Sequence, residues 1–179
     1  MGFIDLVSGL LPIAALIGLV ALVVVPILYA FRKSRPLISK LMSGHYLTSV
    51  LVISLVATLG SLFFSEIAGL APCRLCWYQR VLMYPLVIVS LAVIIGKIKK
   101  SNLIILPMSV IGSLVALYHY VIQMFYPIYS CGPGEVNCAL VTFSSMGFVT
   151  LPLMSLIAFV MIIEFSILYS KSGKRVSRK

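Results

Sequence analysis

The chain has 179 residues, of which 61% are hydrophobic and only 10% are charged, and its formal net charge is +10. A soluble domain of this size cannot bury so much apolar surface, so the composition predicts a membrane protein. The positive charge does not indicate nucleic-acid binding, because the lysines and arginines stand in short blocks between long apolar runs.

Five apolar runs are long enough to cross a bilayer as helices, which takes about 20 residues each. The first span is 9–31, and the others are 46–64, 75–96, 103–125 and 147–169. Backbone groups in hydrocarbon must form hydrogen bonds within their own segment, so each span is predicted to be helical. The expected fold is an all-α integral membrane protein with five transmembrane helices.

This pattern divides the chain into three parts. Residues 1–35 hold the first span, residues 36–170 hold the other four spans with a loop at 126–146, and residues 171–179 form a basic tail. The first span differs from a secretory signal, because no basic segment precedes its apolar core and the positive charge follows it. We therefore expect an uncleaved helix with its N-terminus outside.

The basic residues predict the orientation of the chain in the membrane. Twelve of the 14 lysines and arginines fall into blocks after the first, third and fifth spans. These blocks lie on the same side of the membrane, which the positive-inside rule makes cytoplasmic. The C-terminus is then cytoplasmic, and the 126–146 loop faces outward. The two remaining cations, Arg74 and Arg80, are also on the outer side.

The first cysteine pair stands directly ahead of the third span, where Cys73 and Cys76 follow Pro72. A Cys-x-x-Cys at a helix start is typical of a dithiol that cycles, because the free N–H groups and the helix dipole favour a thiolate there. In a helix, Arg80 would share a face with Cys76, and a permanent cation favours a thiolate. The alternatives are a structural disulfide and a metal site, which His119 would have to approach in space.

The second pair, Cys131 and Cys138, flanks the short segment Gly-Pro-Gly-Glu-Val-Asn. This turn has no apolar face, and it leaves both sulfurs open to another protein. We interpret it as an exchange site for a soluble thiol protein, and the alternative is a disulfide that only staples the loop. Two dithiols on one membrane face suggest an electron relay that ends on a two-electron acceptor in the membrane, such as a lipid-soluble quinone.

The residues from Pro72 to Arg80, Pro-Cys-Arg-Leu-Cys-Trp-Tyr-Gln-Arg, continue to Met-Tyr-Pro at 83–85 and resemble the signature of the DsbB/BdbC family of disulfide bond formation proteins. The second cysteine pair and the segment 147–152 resemble this family too, and the likeness covers about residues 40–170. It implies a four-helix transmembrane bundle over residues 36–170, to which residues 1–35 add one N-terminal transmembrane helix. It also implies a quinone-dependent protein-thiol oxidoreductase of the bacterial inner (plasma) membrane, of the short-loop BdbC type. Such a protein reoxidises a thioredoxin-fold oxidase (DsbA- or BdbD-like) and passes the electrons to ubiquinone or menaquinone, which supports disulfide formation in exported proteins.

The resemblance also implies roles for the four cysteines. Cys131 corresponds to the cysteine that the partner attacks, and Cys138 is its disulfide mate. Cys73 would exchange with this loop pair, and Cys76 would be the thiolate that meets the quinone. Cys73–Cys76 and Cys131–Cys138 are thus the expected redox-active disulfides.

Three further residues receive roles at the quinone by the same resemblance, and no resident metal is expected. Arg80 would stabilise the Cys76 thiolate and the reduced quinone. His119 resembles a quinone-side histidine, although an interfacial histidine with a simple hydrogen-bonding role is the alternative. Gln79 is neutral where some family members carry an acid, so no group at this position needs to accept a proton.

Two features depart from the long-loop members of the family. The loop between the second pair is short, so that any interfacial helix would lie at about 139–145, and the first span is an addition that the resemblance does not explain. Three other functions stay open. They are a non-catalytic membrane subunit with structural disulfides, electron flow in the opposite direction, and a reductase of the vitamin K epoxide reductase type. The order of the cysteine pairs disfavours the last, because the loop pair comes first there.

Overall fold

The computed structural model describes residues 2–31, 35–96, 98, 101–126, 136–139, 144–145 and 148–176. The long helices are α1 (Phe3–Ala30), α2 (Arg35–Leu62), α3 (Arg74–Gly96), α4 (Asn102–Phe125) and α5 (Leu151–Val176). The π-helical segment Phe63–Ile67 extends α2, and the strands β1 (Ser144–Ser145) and β2 (Val149–Thr150) pair antiparallel. All five long helices are apolar enough to cross a membrane. The predicted all-α membrane fold is confirmed, and the short strand pair is a small addition to it.

Four of the helices form a closed bundle. Each of α2, α3 and α4 packs on the next helix in the chain, and α5 returns to pack on α2. The buried core draws on all four helices and includes Tyr46, Val50, Met83, Leu86, Ile105, Ala116, Phe159 and Ile162. Helix α1 lies outside this bundle, against α5 and α2. The described part of the chain therefore has the predicted arrangement of a four-helix bundle and one additional helix.

Two helices differ from their predicted limits. Helix α2 already begins at Arg35, within the basic segment, although its membrane-spanning part is Gly44–Ile67. Helix α5 begins at Leu151 and not at 147, because the two preceding residues pair with Ser144–Ser145. The same pairing means that a helix over the whole of 139–145 does not form. At its other end α5 continues to Val176, into the predicted tail.

The end of the α2 extension determines where the first cysteine pair lies. The Ala68 N–H donates to the Phe63 carbonyl at 2.9 Å, and the Leu70 N–H donates to the Phe64 carbonyl at 2.9 Å. Between them Gly69 has a φ of +70°, a left-handed conformation that glycine adopts without a steric penalty. The helix stops there, and the chain turns directly into the start of α3.

A polar cluster fixes the opposite end of the bundle. The Tyr46 hydroxyl donates to Asn102 Oδ1 at 3.1 Å and lies 3.1 Å from Ser166 Oγ, so it joins α2 to α4 and α5. The Tyr46 ring also stacks on Tyr169, with a centroid distance of 4.5 Å. Because each buried hydroxyl in this cluster has a partner, it holds three helices together without an unsatisfied polar group.

Helices α4 and α5 pack closely where Gly112 faces the ring of Phe159. The Phe159 side chain is fully buried. A Cβ atom added to Gly112 would overlap the Phe159 ring atoms Cε1 and Cζ. The close packing of these two helices therefore depends on the missing side chain at residue 112.

We expect Gly112→Ala to lower the free energy of unfolding by about 1–3 kcal/mol, because the extra methyl group must displace Phe159 or separate the helices. Thermal unfolding of the purified protein in detergent measures the change. The matched control is Gly9→Ala, since a Cβ there meets nothing within 4 Å. Equal unfolding temperatures for the two variants would contradict the prediction.

Candidate active site

Cys73 occupies the N-cap position of α3. Its carbonyl accepts the Trp77 N–H at 3.1 Å, which is the first hydrogen bond of the helix, and α3 begins at the next residue. Cys76 therefore lies in the first turn. The unpaired N–H groups and the positive end of the helix dipole favour negative charge at this position. The predicted helix start at the Cys-x-x-Cys sequence is present.

The two thiols of α3 are close together and reduced. Cys73 and Cys76 are both free, and their Sγ atoms are 3.2 Å apart, within hydrogen-bond distance. The hydrogen bond with the Cys76 thiol lowers the pKa of Cys73 well below its usual range, and a hydrogen bond from His119 acts in the same direction, while burial opposes both. Cys73 is only 5% exposed. In the dithiol state the geometry thus favours the thiolate on Cys73.

The His119 imidazole contacts both cysteine pairs. Its Nε2 atom lies 3.1 Å from the Cys138 carbonyl oxygen and 3.6 Å from Cys73 Sγ, and its Nδ1 atom lies 2.9 Å from Gln79 Nε2. A carbonyl oxygen can only accept, so Nε2 carries the hydrogen and Nδ1 accepts from the Gln79 amide. With these partners the Nε2–H of His119 points at the carbonyl of Cys138 and at the sulfur of Cys73.

Cys138 lies beside the α3 dithiol. It is 1% exposed, it is disulfide-bonded, and it packs in one apolar cluster with Cys73 and Ile122. Cys138 is therefore already close to the first pair. Cys131 lies outside the described residues, and its pairing with Cys138 stays a prediction.

Arg80 is buried on the other side of the dithiol, with an exposed fraction of 8%. Its Nε atom donates to Ser61 Oγ at 3.0 Å and one terminal nitrogen donates to the Ser61 carbonyl at 3.1 Å. The guanidinium carbon also lies 5.3 Å from the centre of the Trp77 ring, a cation–π distance. The α2 helix and the tryptophan thus hold the guanidinium in one place.

Cys76, Gln79 and Arg80 line one end of a cavity of about 350 Å³ between α1, α2, α3 and α5. Most of the other lining residues are apolar. The cavity has a thiol, an amide and a permanent cation at one end and an apolar body within the membrane-spanning part of the helices. This arrangement suits a ligand with a polar head and an apolar body.

The structure brings six of the seven predicted site residues into one region, and the seventh, Cys131, is outside the described residues. His119 lies against Cys73 and Cys138 and is not among the residues that line the cavity. Sequence reasoning missed Ser61, which accepts the hydrogen bonds of Arg80. The only sign of this residue in the sequence was a hydroxyl side chain within an apolar run. Sequence reasoning also missed the contribution of α1 to the cavity, for which the sequence gives no sign.

The sulfurs of Cys73 and Cys76 and a ring nitrogen of His119 lie within 4.8 Å of one another, a spacing that a metal ion could use. However, Nε2 of His119 donates its hydrogen, and Nδ1 is occupied by Gln79. In this hydrogen-bond arrangement the imidazole offers no lone pair to a metal between the sulfurs.

A helical membrane bundle that holds a thiolate-stabilising dithiol beside a second, disulfide-bonded cysteine defines a membrane thiol–disulfide oxidoreductase. The comparisons with known proteins lead to the same class. The family model described as "Disulfide bond formation protein DsbB" matches residues 43–169. No solved structure matches the chain.

Two relatives show how much of the chain is shared. The "Disulfide bond formation protein C" of Bacillus subtilis (strain 168) is 45% identical over 120 residues, which are 64% of this chain and 84% of that protein. A "Probable disulfide formation protein C" of Halalkalibacterium halodurans is 42% identical over 136 residues, 73% of this chain and 93% of that protein. The chain belongs to the DsbB family of disulfide bond formation proteins, as the signature at 72–85 predicted. Helix α1 lies outside the range that the family model matches.

The lowered pKa predicts how Cys73 reacts at different pH values. A thiol is a thiolate above its pKa, so the alkylation rate of Cys73 should stay high as the pH falls below about 8.5, where an ordinary thiol loses roughly tenfold per pH unit. The rate should fall only when the pH reaches the lowered pKa. Iodoacetamide labelling of the fully reduced protein, followed by mass spectrometry of the Cys73 peptide, measures this profile.

Removing either hydrogen-bond partner should move the midpoint of that profile to higher pH, with a larger shift for Cys76→Ala than for His119→Phe. The exposed His45, on α2, provides the matched control, and His45→Phe should leave the midpoint unchanged. An ordinary thiol profile for Cys73 in the unmodified protein would show that the network does not stabilise its thiolate.

Proposed function

We propose that this protein reoxidises a thioredoxin-fold thiol oxidase of the DsbA or BdbD type and passes the electrons to a membrane quinone. The observation that carries the proposal is the position of the α3 dithiol. On one side it packs against the disulfide-bonded Cys138, and on the other Cys76 opens into an apolar cavity at membrane depth. This position supports a dithiol that receives electrons from the loop and delivers them into the bilayer.

The relay has three exchanges, and each moves two electrons and two protons. The partner's dithiol reduces the Cys131–Cys138 disulfide and becomes a disulfide itself. The loop dithiol then reduces the Cys73–Cys76 disulfide. Finally, the α3 dithiol reduces a quinone to a hydroquinone and closes again. The net result is one disulfide in the partner and one hydroquinone in the membrane.

The contacts of Cys73 support its role in the exchange between the two pairs. A loop thiolate that attacks Cys73 gives a mixed disulfide, and Cys73 must leave as a thiolate when the second loop cysteine resolves it. A leaving thiolate departs faster when its pKa is low. The Cys76 thiol and the His119 N–H are both within reach of the Cys73 sulfur and would stabilise it at this step.

The cavity supports the quinone step. A quinone supplies a two-electron acceptor that dissolves in the bilayer, and ubiquinone and menaquinone both meet this description. Cys76 faces the cavity from the first turn of α3, and Arg80 adds a fixed positive charge where the oxygen of the reduced ring would lie. Gln79 connects the cavity to His119 through its amide. These residues fit a quinone ring held beside the Cys76 sulfur.

We also propose that the cysteines lie on the extracytoplasmic side of the bacterial inner (plasma) membrane and that the C-terminus is cytoplasmic. The described cysteines are at one end of the bundle, and Tyr46, Asn102 and Tyr169 are at the other. The three basic blocks of the sequence follow α1, α3 and the spanning part of α5, at the tyrosine end. Positive charge retained in the cytoplasm therefore supports this orientation.

The quinone step predicts that Cys76→Ala abolishes hydroquinone formation. The full-length protein is reduced, freed of reductant and mixed anaerobically with a ubiquinone or menaquinone analogue. In the unmodified protein free thiols, counted by alkylation mass shift, should disappear in step with the formation of hydroquinone. Turnover by the Cys76→Ala variant at the unmodified rate would rule out the proposed coupling.

The same assay tests Arg80. Arg80→Lys keeps the charge but not the two hydrogen bonds to Ser61, so the rate should fall by about tenfold or more. Arg74, an exposed cation in the same turn as Cys76, is the matched control. Arg74→Lys should retain the unmodified rate, and equal losses in the two variants would mean that the position of the guanidinium does not matter.

The partner step predicts a stable mixed disulfide. In the Cys138→Ser variant, Cys131 attacks the disulfide of an oxidised DsbA-type protein and displaces that protein's second cysteine as a thiolate. Alkylation then blocks this thiolate, so that it cannot reverse the exchange, and Cys138 is not there to resolve it. We expect a covalent complex on a non-reducing gel with this variant and none with Cys131→Ser. A complex through Cys138 alone would reverse the roles of the two loop cysteines.

A further inference from the structure

We propose that α1 is part of the acceptor site and forms the wall against which the isoprenoid chain of the quinone lies. This inference rests on the proposed function, since it concerns the same cavity. It assigns a role to a helix that lies outside the family range of 43–169. In the bundle of α2 to α5 alone, the cavity would be a groove open to lipid.

Helix α1 lines the cavity along much of its length. Its lining residues are Leu11, Ala14, Ala15, Ile17, Gly18 and Ala21. From Leu11 to Ala21 the helix rises by roughly 15 Å. The lining residues of α5 run from Leu151 to Met161, which is again roughly 15 Å. The cavity is therefore elongated along the helix axes and not a compact pocket beside Cys76.

The residues that line the cavity differ in chemistry between its two parts. The reactive thiol and the guanidinium are at the α3 end, from Cys76 and Arg80, and the part between α1 and α5 is lined mainly by aliphatic side chains. A compact polar molecule would leave the apolar part empty, whereas a lipid chain without a redox-active head would leave the polar end unused. A quinone with an isoprenoid chain uses both parts, with its ring beside the sulfur.

The position of α1 is set by close contacts on two sides. A Cβ on Gly18 would lie 2.9 Å from Met161 Sδ and 3.1 Å from Ile157 Cγ2, so α1 packs directly on α5 there. A Cβ on Gly60 would lie 3.3 Å from Leu11 Cδ2, so α1 also packs directly on α2. Between these contacts the short side chains of Ala14 and Ala15 face the cavity without filling it. Direct packing on α5 and α2 therefore holds helix α1 in position beside the cavity.

The wall takes no part in the electron transfer itself. The thiols of Cys73 and Cys76 together lose two electrons and two protons to the quinone, which gives one disulfide and one hydroquinone. Helix α1 acts before this step, because a chain held against it limits where the ring can lie. It is therefore a determinant of acceptor binding and selectivity for chain-bearing quinones.

The test compares two quinones and two matched variants in the full-length protein. The quinones are a naphthoquinone without a chain and the same ring with a short isoprenoid chain. Ala15→Phe places a large ring in the cavity, whereas Val20→Phe adds the same ring at a position that is 61% exposed and does not line it. The measured quantity is the KM of each quinone in the anaerobic assay, with the unfolding temperature as a check on folding.

We expect Ala15→Phe to raise the KM of the chain-bearing quinone by about tenfold, because buried methylene groups of the chain lose their contacts. The KM of the chainless quinone should stay within about twofold of the unmodified value, and Val20→Phe should change neither. Equal values for the two variants with both quinones would overturn the inference and leave the proposed function intact. If the unmodified protein forms no hydroquinone with either quinone, the proposed function itself fails.

A second measurement uses the unmodified protein and does not depend on the folding of any variant. A quinone with a photoactivatable group on its chain is irradiated in vesicles of phosphatidylcholine, and the labelled peptides are identified. Labelling should concentrate on the lining residues of α1 and fall when unlabelled chain-bearing quinone is added. A phosphatidylcholine that carries the same group on its acyl chain serves as the comparison. The same labelling from both probes would show that ordinary lipid occupies the cavity.

Discussion

The imidazole of His119 joins three parts of the molecule that are far apart in the chain. Gln79 on α3 donates to one ring nitrogen, and the N–H of the other nitrogen points at both the Cys138 carbonyl and the Cys73 sulfur. In a bundle surrounded by lipid, a buried imidazole without partners would be costly, so this geometry is strongly enforced. One side chain thereby holds the loop cysteine, the helix dithiol and an amide that faces the cavity in a fixed arrangement.

Much of this arrangement could be predicted from the sequence, for physical reasons that particular residues show. Apolar runs of spanning length have few possible folds, and Pro72 with the two cysteines after it has the chemistry of a helix start. The role of His119 was harder to predict. Its distance along α4 from the outer end can be counted, but the direction of its ring depends on the rotation of α4 within the bundle. A helix that is apolar on all sides carries little information about that rotation.

The same limit applies to α1 and to Arg80. The sequence shows a fifth span, but its lipid-facing and bundle-facing sides are equally apolar, so its packing on α5 at Gly18 could not be predicted. For Arg80 the spacing predicts a shared helix face with Cys76, and both residues line the cavity. The hydrogen bonds that hold it come from Ser61, on a different helix, and a single serine in an apolar run gives no indication of its partner.

The hydrogen bonds around Cys73 also have a thermodynamic consequence. These hydrogen bonds stabilise the Cys73 thiolate, which is present only in the reduced pair. They therefore stabilise the reduced form of the α3 pair more than its disulfide. A pair whose reduced form is stabilised has a higher reduction potential, and it is a stronger oxidant toward other dithiols. Its own reoxidation is correspondingly harder and requires an acceptor of still higher potential. Under the proposed function, these hydrogen bonds make the α3 pair dependent on the oxidation state of the surrounding membrane.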